Sequence, residues 1–500
     1  MDVFQSQQAF DNSVAQSVLG AGSEDLIKAV IAGTGTGRDY NNVINTGAGL
    51  KVESLDSMVR VLAAKDEHIK FWKLLNKNSI YNTVFEYTRQ LDYGNDSAVF
   101  TNEGETPEFS DANYDRKAKL IKYMGLAGEV TLAAQLVKNL DGKNNLARAV
   151  ENRTRALMLI MNKKLTTANS KMVPQEFDGL FQQHFEDDMV GNGVLDTYFN
   201  SSQVIDARGK TLRESMIHDS MNKIVNDNYG FADTIIGSPN IFNNLAKQYE
   251  EAHRIALGGG ANNNTDIGQS VGGIRTQFGR VNIENDIFFD QKIPVSYNEA
   301  NEHVKAPAAP VKDGSAPATV VNTVATSKFT GFTGTYFYGV RARNRYGMSA
   351  MTVLNTTAVT VTAGTDAVDL KFTAGVGNYA ATSFVIYKTV KNTASYTAPK
   401  VFHPVFEISA TELAAGYDGS GAANEVRDRN LWIPNTQSAL VCKVDPEYME
   451  YLQLAPIMKM DLAQTAPATR FMVLNYGTAA MYLASKIVRI VNIGSDSSAL

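Results

Sequence analysis

Gly268-Gln-Ser-Val-Gly272 matches the G-x-S-x-G pattern that presents a serine nucleophile for acyl transfer. That chemistry needs a buried strand before the serine and a helix after it. Here the approach is Gly258-Gly-Gly-Ala-Asn-Asn-Asn-Thr265 and the exit is Gly273-Ile-Arg-Thr-Gln-Phe-Gly279, so neither flank supplies the elbow. Ser270 reads better as part of a loop. The six histidines, His68, His184, His218, His253, His303 and His403, are scattered, and none pairs at metal-ligand spacing. Glycine clusters at Gly33–Gly37 and Gly258–Gly260 lack the Lys-Ser/Thr of a phosphate-binding loop. Glu103, Glu105, Glu108 and Asp111 crowd one short stretch, a set that general acid–base chemistry can use. A solvated acidic loop is the plainer reading. No catalytic residue, metal site or cofactor site emerges.

The acidic cluster lies at the tip of an expected hairpin. Tyr81–Thr88 alternates like a strand, Tyr93-Gly-Asn-Asp96, Gly104 and Pro107 break the middle, and Tyr114–Met124 is the return strand. Ala118–Leu136 follows directly behind it. Strands with free edges are a hazard for a lone monomer and an asset once another subunit covers them. In that setting Glu103, Glu105 and Glu108 are expected to pair with Arg116 or Lys119 of a neighbouring copy. Before the hairpin, residues 1–50 are rich in Gly, Ser, Asn and Gln and read as a draping arm. Leu55, Met58, Val59, Leu62, Ile69, Trp72 and Leu75 have helical spacing, with Ser54 placed as cap.

Behind the hairpin, Asn145–Leu165 is the clearest long helix, with Leu146, Ala149, Val150, Leu157, Ile160 and Met161 as its apolar set. Lys143, Arg148, Arg153, Arg155, Lys163 and Lys164 make its neighbourhood basic, which fits a solvated side or an inward face near nucleic acid. Thr211-Leu-Arg-Glu214 reads as a capping box opening a helix that runs to Gly230. Ala232–Gly237 reads as a short buried strand, and Ser238-Pro239 as cap and first residue of the next helix. Composition changes at Ala306-Pro-Ala-Ala-Pro310, a stiff linker. Short alternating runs at Thr335–Arg343, Ala358–Ala363, Val368–Thr373 and Ser383–Val390 then predict a small β-sandwich without helical periodicity. The parent pattern resumes by Trp432, and Arg470–Ile493 mixes strand and helix signals.

Five hundred residues exceed one ordinary core, so two or three domains are expected. The balance of 47 basic and 52 acidic residues gives −5, too small to mark a nucleic-acid-gripping surface. One cysteine, Cys442, excludes an intrachain disulfide and a cysteine zinc cluster, and cytosolic synthesis is the natural expectation. Gln5, Gln7, Gln8 and Asp11 interrupt any signal-peptide pattern. No apolar run approaches the ~20 residues of a membrane helix.

Two resemblances follow. Thr335-Tyr-Phe-Tyr-Gly-Val-Arg-Ala-Arg-Asn-Arg-Tyr-Gly-Met-Ser349 resembles the paired late strands of a fibronectin type III or immunoglobulin-like module, with Asn344 and Gly347 forming the turn. Val368–Thr373 and Phe384–Lys388 look like that module's earlier strands but come later in this chain, which implies a rearranged or doubled sandwich. Outside this segment the chain resembles the major capsid protein of tailed bacteriophages in the order of its parts. Those parts are the N-terminal arm and helix to about Asn78, the hairpin ending in Tyr114–Lys122, the spine-like helix 145–165, the capped helices near Thr211 and Ser238, and the close Arg470–Gly477.

The resemblance implies an α+β phage major-capsid fold with N-arm, extended loop, peripheral and axial domains, carrying an inserted all-β immunoglobulin-like sandwich. It divides the chain into an arm and helix (1–78), an extended loop (79–126), a peripheral domain with spine helix (127–210), the first part of an axial domain (211–305), the insertion (306–425) and a return segment (426–500). It implies a structural, non-enzymatic virion protein whose hexamers and pentamers close into an icosahedral capsid around double-stranded DNA, without sequence-specific binding. Scaffolding, portal and decoration proteins are the further partners it implies, with no membrane. Some capsids of this fold crosslink through Lys and Asn, and the sequence singles out no pair. Two other classes stand beside it: an encapsulin-like nanocompartment shell and a serine hydrolase using Ser270.

Overall fold

The computed structural model describes residues 66–94, 100–106, 109–137, 144–250, 271–289, 303–314, 316–397, 401–464 and 466–494. The helical spacing expected from Leu55 lies partly outside these residues. From Asp66 onward it gives a 3-10 turn and a single α-turn, α1 (Phe71–Leu74), rather than a continued helix. The cause is a tertiary demand at the helix start. The backbone N–H of Phe71 donates to Asp286 at 2.9 Å and that of Trp72 to Asn162 at 2.7 Å, and both rings are buried.

Strands β1 (Lys77–Ser79), β2 (Val84–Gln90), β3 (Tyr114–Leu120) and β4 (Lys122–Thr131) follow. The expected return strand is therefore two strands that part at buried Ile121. β3 pairs with β2 as the hairpin, whereas β4 joins a different sheet. Helix α2 (Leu132–Leu136) leads toward α3 (Asn145–Thr167), which matches the expected long helix. Asn144 caps α3 by accepting from the Leu146 N–H at 2.9 Å. Leu157, Met161 and Leu165, spaced by four, sit on its buried face.

After α4 (Leu180–Glu186), α5 (Leu195–Asn200) and β5 (Val204–Asp206), helix α6 (Glu214–Asn222) starts at the glutamate itself. The Thr211–Glu214 capping box does not form. Arg213 holds the cap position without a side-chain bond, and Thr211 Oγ1 instead accepts from Gln248 at 3.2 Å. The helix widens into a π-turn at Lys223–Asp227. β6 (Thr234–Gly237) is buried throughout, and α7 (Pro239–Glu250) begins at the proline, as its residues predict. β7 (Gly273–Thr276) and β8 (Gly279–Asn285) precede the β-rich segment.

That segment holds β9 (Val311–Lys312), β10 (Ala318–Val321), β11 (Gly334–Tyr336), β12 (Tyr338–Asn344), β13 (Gly347–Met348), β14 (Thr352–Val353), β15 (Val359–Val361), β16 (Ala367–Thr373), β17 (Ser383–Thr389), β18 (Phe402–Ser409), helix α8 (Ala410–Ala415) and β19 (Glu425–Asp428). One sheet runs β10-β16-β19 with β9 also on β16, and a second joins β13 and β14 to β12, then β17 and β18. Phe329, Tyr338, Val340, Leu370, Phe372, Phe384 and Ile386 build its own core. The expected run Thr335–Arg343 is split at Phe337, because β11 pairs with β15 and β12 with β17. α8 was not expected; Ser409 and Glu412 close a capping box there. Pro307 and Pro310 are buried, and Pro310 accepts from Thr352 Oγ1 at 2.6 Å. The stretch read as a linker is thus packed down.

The chain closes with β20 (Thr436–Cys442), β21 (Met449–Asp461), β22 (Ala468–Met481) and β23 (Val488–Gly494). Two sheets result, β1-β21-β22-β4 and β5-β23-β20-β6-β8-β7. β4 lies on β22 with Gly128 opposite Phe471 and Gly125 opposite Leu474. A Cβ at either glycine would meet those side chains at 2.6 and 2.7 Å, so the glycines let Phe471 and Leu474 lie across the strand. The first sheet, α1, α3 and α4 share one core, and the second sheet packs on α6 and α7 in another.

Candidate functional site

Strand periodicity divides the hairpin into two faces. On one, Phe85, Tyr87 and Arg89 stand opposite Lys119, Lys117 and Asp115; on the other, Val84, Glu86, Thr88 and Gln90 stand opposite Leu120, Ala118, Arg116 and Tyr114. The first set is half-buried to buried and rests on the rest of the chain, while β2's second set is exposed throughout.

The docked face is anchored by charge. Arg89, with its side chain 5% exposed, bonds Asp115 at 2.6 Å, Asp187 at 2.7 Å and Asp188 at 2.9 Å. Burial pulls its pKa down, but bonds to Asp115, Asp188 and Asp187 outweigh that and raise it well above the ordinary arginine value. The same bond from Arg89 lowers the Asp115 carboxyl. Lys117 reaches Asp115 at 3.3 Å and Asp188 at 3.4 Å. At the base Tyr87 meets the Tyr482 ring edge-on at 4.7 Å, and burial pushes its phenol up to about 12. Ile80 and Ile121 pack there against Leu452 and Ala480.

Beyond the docked half, among the described residues, three large aromatic side chains stand in solvent. Tyr93 is 93% exposed, Phe100 100% and Phe109 96%. Asp92 accepts from the N–H of Gly94 at 2.9 Å and from Asn113 Nδ2 at 2.6 Å, which holds the two legs together below the tip. Three bare aromatic side chains thus stand on a fastened stem, an exposed apolar feature of the kind that marks interaction surfaces. β4 adds a second such feature: among the described residues it has a ladder partner only on its β22 side.

The sequence-predicted residues distribute around this arm. Glu103 and Glu105 are exposed in the tip, and Glu105 accepts from the N–H and Nδ2 of Asn102 at 3.1 and 3.0 Å. Glu108 lies outside the described residues. Arg116 bonds Glu86 across the open face, with both groups exposed. Lys119 is half-buried on the docked face, where burial lowers its pKa against the pull of Asp178, Glu186 and Asp187. Ser270, the N-terminal arm and His253 lie outside the described residues. His184 is buried, its Nδ1 and Nε2 each 3.1 Å from Tyr198 Oη and the Ile487 carbonyl. The carbonyl requires Nε2–H, leaving Nδ1 to accept from the tyrosine. Burial pushes its pKa down to about 4.

On the long helix the cations diverge. Lys164 turns in to Glu176 at 2.6 Å, Lys163 covers the Phe288 ring at 4.9 Å, and Arg155 pairs with Glu151. These three are each taken up by a different partner. Sequence reasoning passed over Arg89, Asp187, Asp188 and the three tip aromatics. The aromatics had a signal: isolated large rings in a polar, glycine-broken loop serve no local core.

The β-rich segment meets the rest through ion pairs. Arg343 bonds Glu176 at 2.8 Å and Glu407 at 2.9 Å, and Arg429 bonds Asp196 at 2.7 Å and also Asp418. A cleft of about 430 Å³ opens along this seam, lined in part by Lys171, Asp196, Glu407 and Arg429. Asp196 pairs there with Arg429 and Glu407 with Arg343, while Arg489 lies over the Phe181 ring at 3.7 Å. No group of three or more His, Cys, Asp or Glu is placed to hold a metal among the described residues, and none of their helices is long and apolar enough to cross a membrane.

Residues 33–301 match the family model of the SU10 major capsid protein. The major capsid protein of Staphylococcus phage S25-3 is 25% identical over 497 residues, covering 94% of this chain and 95% of that protein. That of Staphylococcus phage K matches with the same identity and coverage. Among solved structures, the capsid of a native GTA particle aligns over 90% of this chain and 99% of that one, at 7% identity and a TM-score of 0.44.

Proposed function

From the premise that this chain belongs to the SU10 major capsid protein family, we propose how it builds its shell. The chain is a phage major capsid protein, a structural subunit. Its hairpin tip and β4 edge lie on neighbouring copies, and hexamers and pentamers close an icosahedral shell around double-stranded DNA held without sequence-specific contacts. The carrying observation is the arm: an ion-anchored stem holding Tyr93, Phe100 and Phe109 bare. Each contact is modest, and symmetric closure multiplies it.

On this reading the arm, extended loop, peripheral and axial domains, and the insertion take the boundaries expected from sequence. The separate core and paired sheets of residues 311–428 support an immunoglobulin-like insertion. Glu103, Glu105 and Glu108 meet Arg116 or Lys119 of the next copy. Arg116 reaches a neighbour only by leaving Glu86, an exposed pair weak enough to exchange. The subunit is made in the host cytoplasm, and scaffolding, portal and decoration proteins are its further partners. Electron microscopy of purified particles, with nuclease-protected DNA measured, tests the proposal. Closed shells protecting genome-length DNA are expected, while shells filled with cargo protein would favour a nanocompartment.

A further inference from the structure

Lys388 sits on β17 with none of its surface exposed, a rare place for a primary amine. Its Nζ lies 2.8 Å from Oδ2 of Asp428 and 2.9 Å from Oδ1 of Asn430. The rings of Phe329, Tyr336 and Tyr338 close around it at 4.4, 4.4 and 5.6 Å. Asp428 ends β19, where its Oδ2 also accepts from Tyr338 Oη and its Oδ1 accepts the Asn430 backbone N–H, both at 2.8 Å. Asn430 Nδ2 donates to the Lys328 carbonyl at 3.2 Å. Its backbone, at φ +57°, is in the left-handed region that asparagine tolerates well.

An amine, an amide carbonyl and a carboxylate therefore share one dry pocket, each held by further bonds. We propose that Lys388 and Asn430 join through an intrachain isopeptide bond, with Asp428 carrying the proton. Burial lowers the lysine pKa, although Asp428 pulls the other way. Passing the ammonium proton to Asp428 removes two charges from a low-dielectric site, which favours the neutral amine. The Nζ lone pair then forms a bond to Cγ of Asn430, and the carbonyl π electrons move onto Oδ1. As the carbonyl re-forms, the Cγ–Nδ2 bond breaks and Nδ2 takes the proton held by Asp428. The second Nζ proton follows the departing ammonia, which leaves as ammonium. Asp428 ends as it began, and nothing is oxidised or reduced. Fixing the groups in contact supplies an effective concentration on the order of 10⁵ M or more.

The bond ties β17 of one sheet to the segment leaving β19 of the other. It lies beside the point where Arg208 Nη1 holds the Asn430 carbonyl at 3.0 Å. The β-rich segment is then closed covalently at its exit.

Tryptic digestion of denatured full-length protein from particles tests this. Lys388 should stay uncut, and a branched peptide should join residues 372–391 to residues 430–443, one ammonia lighter than the sum. Separate peptides cut at Lys388, with Asn430 intact, would overturn the proposal, as would a link to Asp428 with loss of water. Asn430→Ala should abolish the branched peptide, and Asp428→Asn should slow its formation on the order of 10²-fold. Should either variant fail to fold, the wild-type peptide alone decides.

Discussion

The hairpin arm and the β-rich segment are finished in opposite ways. The segment owns a core of fully buried aromatic and aliphatic side chains and meets the body through paired charges. Among its described residues the arm owns almost no core; it is pinned at Arg89 and leaves Tyr93, Phe100 and Phe109 in solvent. A region that satisfies itself needs nothing from other molecules. A region that is fastened yet uncovered is built to be completed from outside. On the proposed reading the difference assigns assembly to the arm and local stability to the segment.

Replacing Tyr93, Phe100 and Phe109 together by serine should have the largest consequence, loss of particles in sedimentation. The free subunit's melting temperature should hardly change, because fully exposed rings contribute little to its fold. A large drop in that temperature would break the contrast. Arg89→Ala strands three carboxylates, two of them substantially buried, and should destabilise the subunit by about 3 kcal/mol in denaturant melts. Arg343→Ala should cost somewhat less, about 2 kcal/mol, because Glu407 loses its cation while Glu176 keeps Lys164. Assembly of whatever remains folded should persist for Arg343→Ala, which separates the two regions.

His184 sharpens the account of the body. Its folded pKa of about 4 lies below the unfolded 6.5, so the unfolded chain binds the proton more readily between those values. Stability is full above pH 6.5 and should fall by about 3 kcal/mol as pH drops toward 4. Melts of His184→Gln should lose that component, and an unchanged pH profile would contradict its burial as a neutral ring. The smallest effect belongs to Glu86→Gln. Its exposed pair with Arg116 should contribute about 0–1 kcal/mol.

Where structure depends on neighbours in sequence, the sequence was readable. The helix 145–167 carries its cap at Asn144 and its apolar spacing within a few turns. The strand 234–237 and the proline start at 239 are likewise local. Where distant residues decide, it was not. Nothing near Ile121 announces that β4 will leave the hairpin for β22, and nothing near Phe337 that its two sides enter different pairings. The capping box at Thr211 lost to a bond from Gln248, on another helix. The arm's outline was legible from its breakers, but its anchor was not, since Asp187 and Asp188 meet Arg89 only after folding.

Hydroxyl-radical footprinting of free subunits against assembled particles addresses the central claim most directly. Labelling at Tyr93, Phe100 and Phe109 should collapse on assembly, while exposed Val376 of the β-rich segment keeps its reactivity. Equal labelling of the three rings in both states would contradict the account.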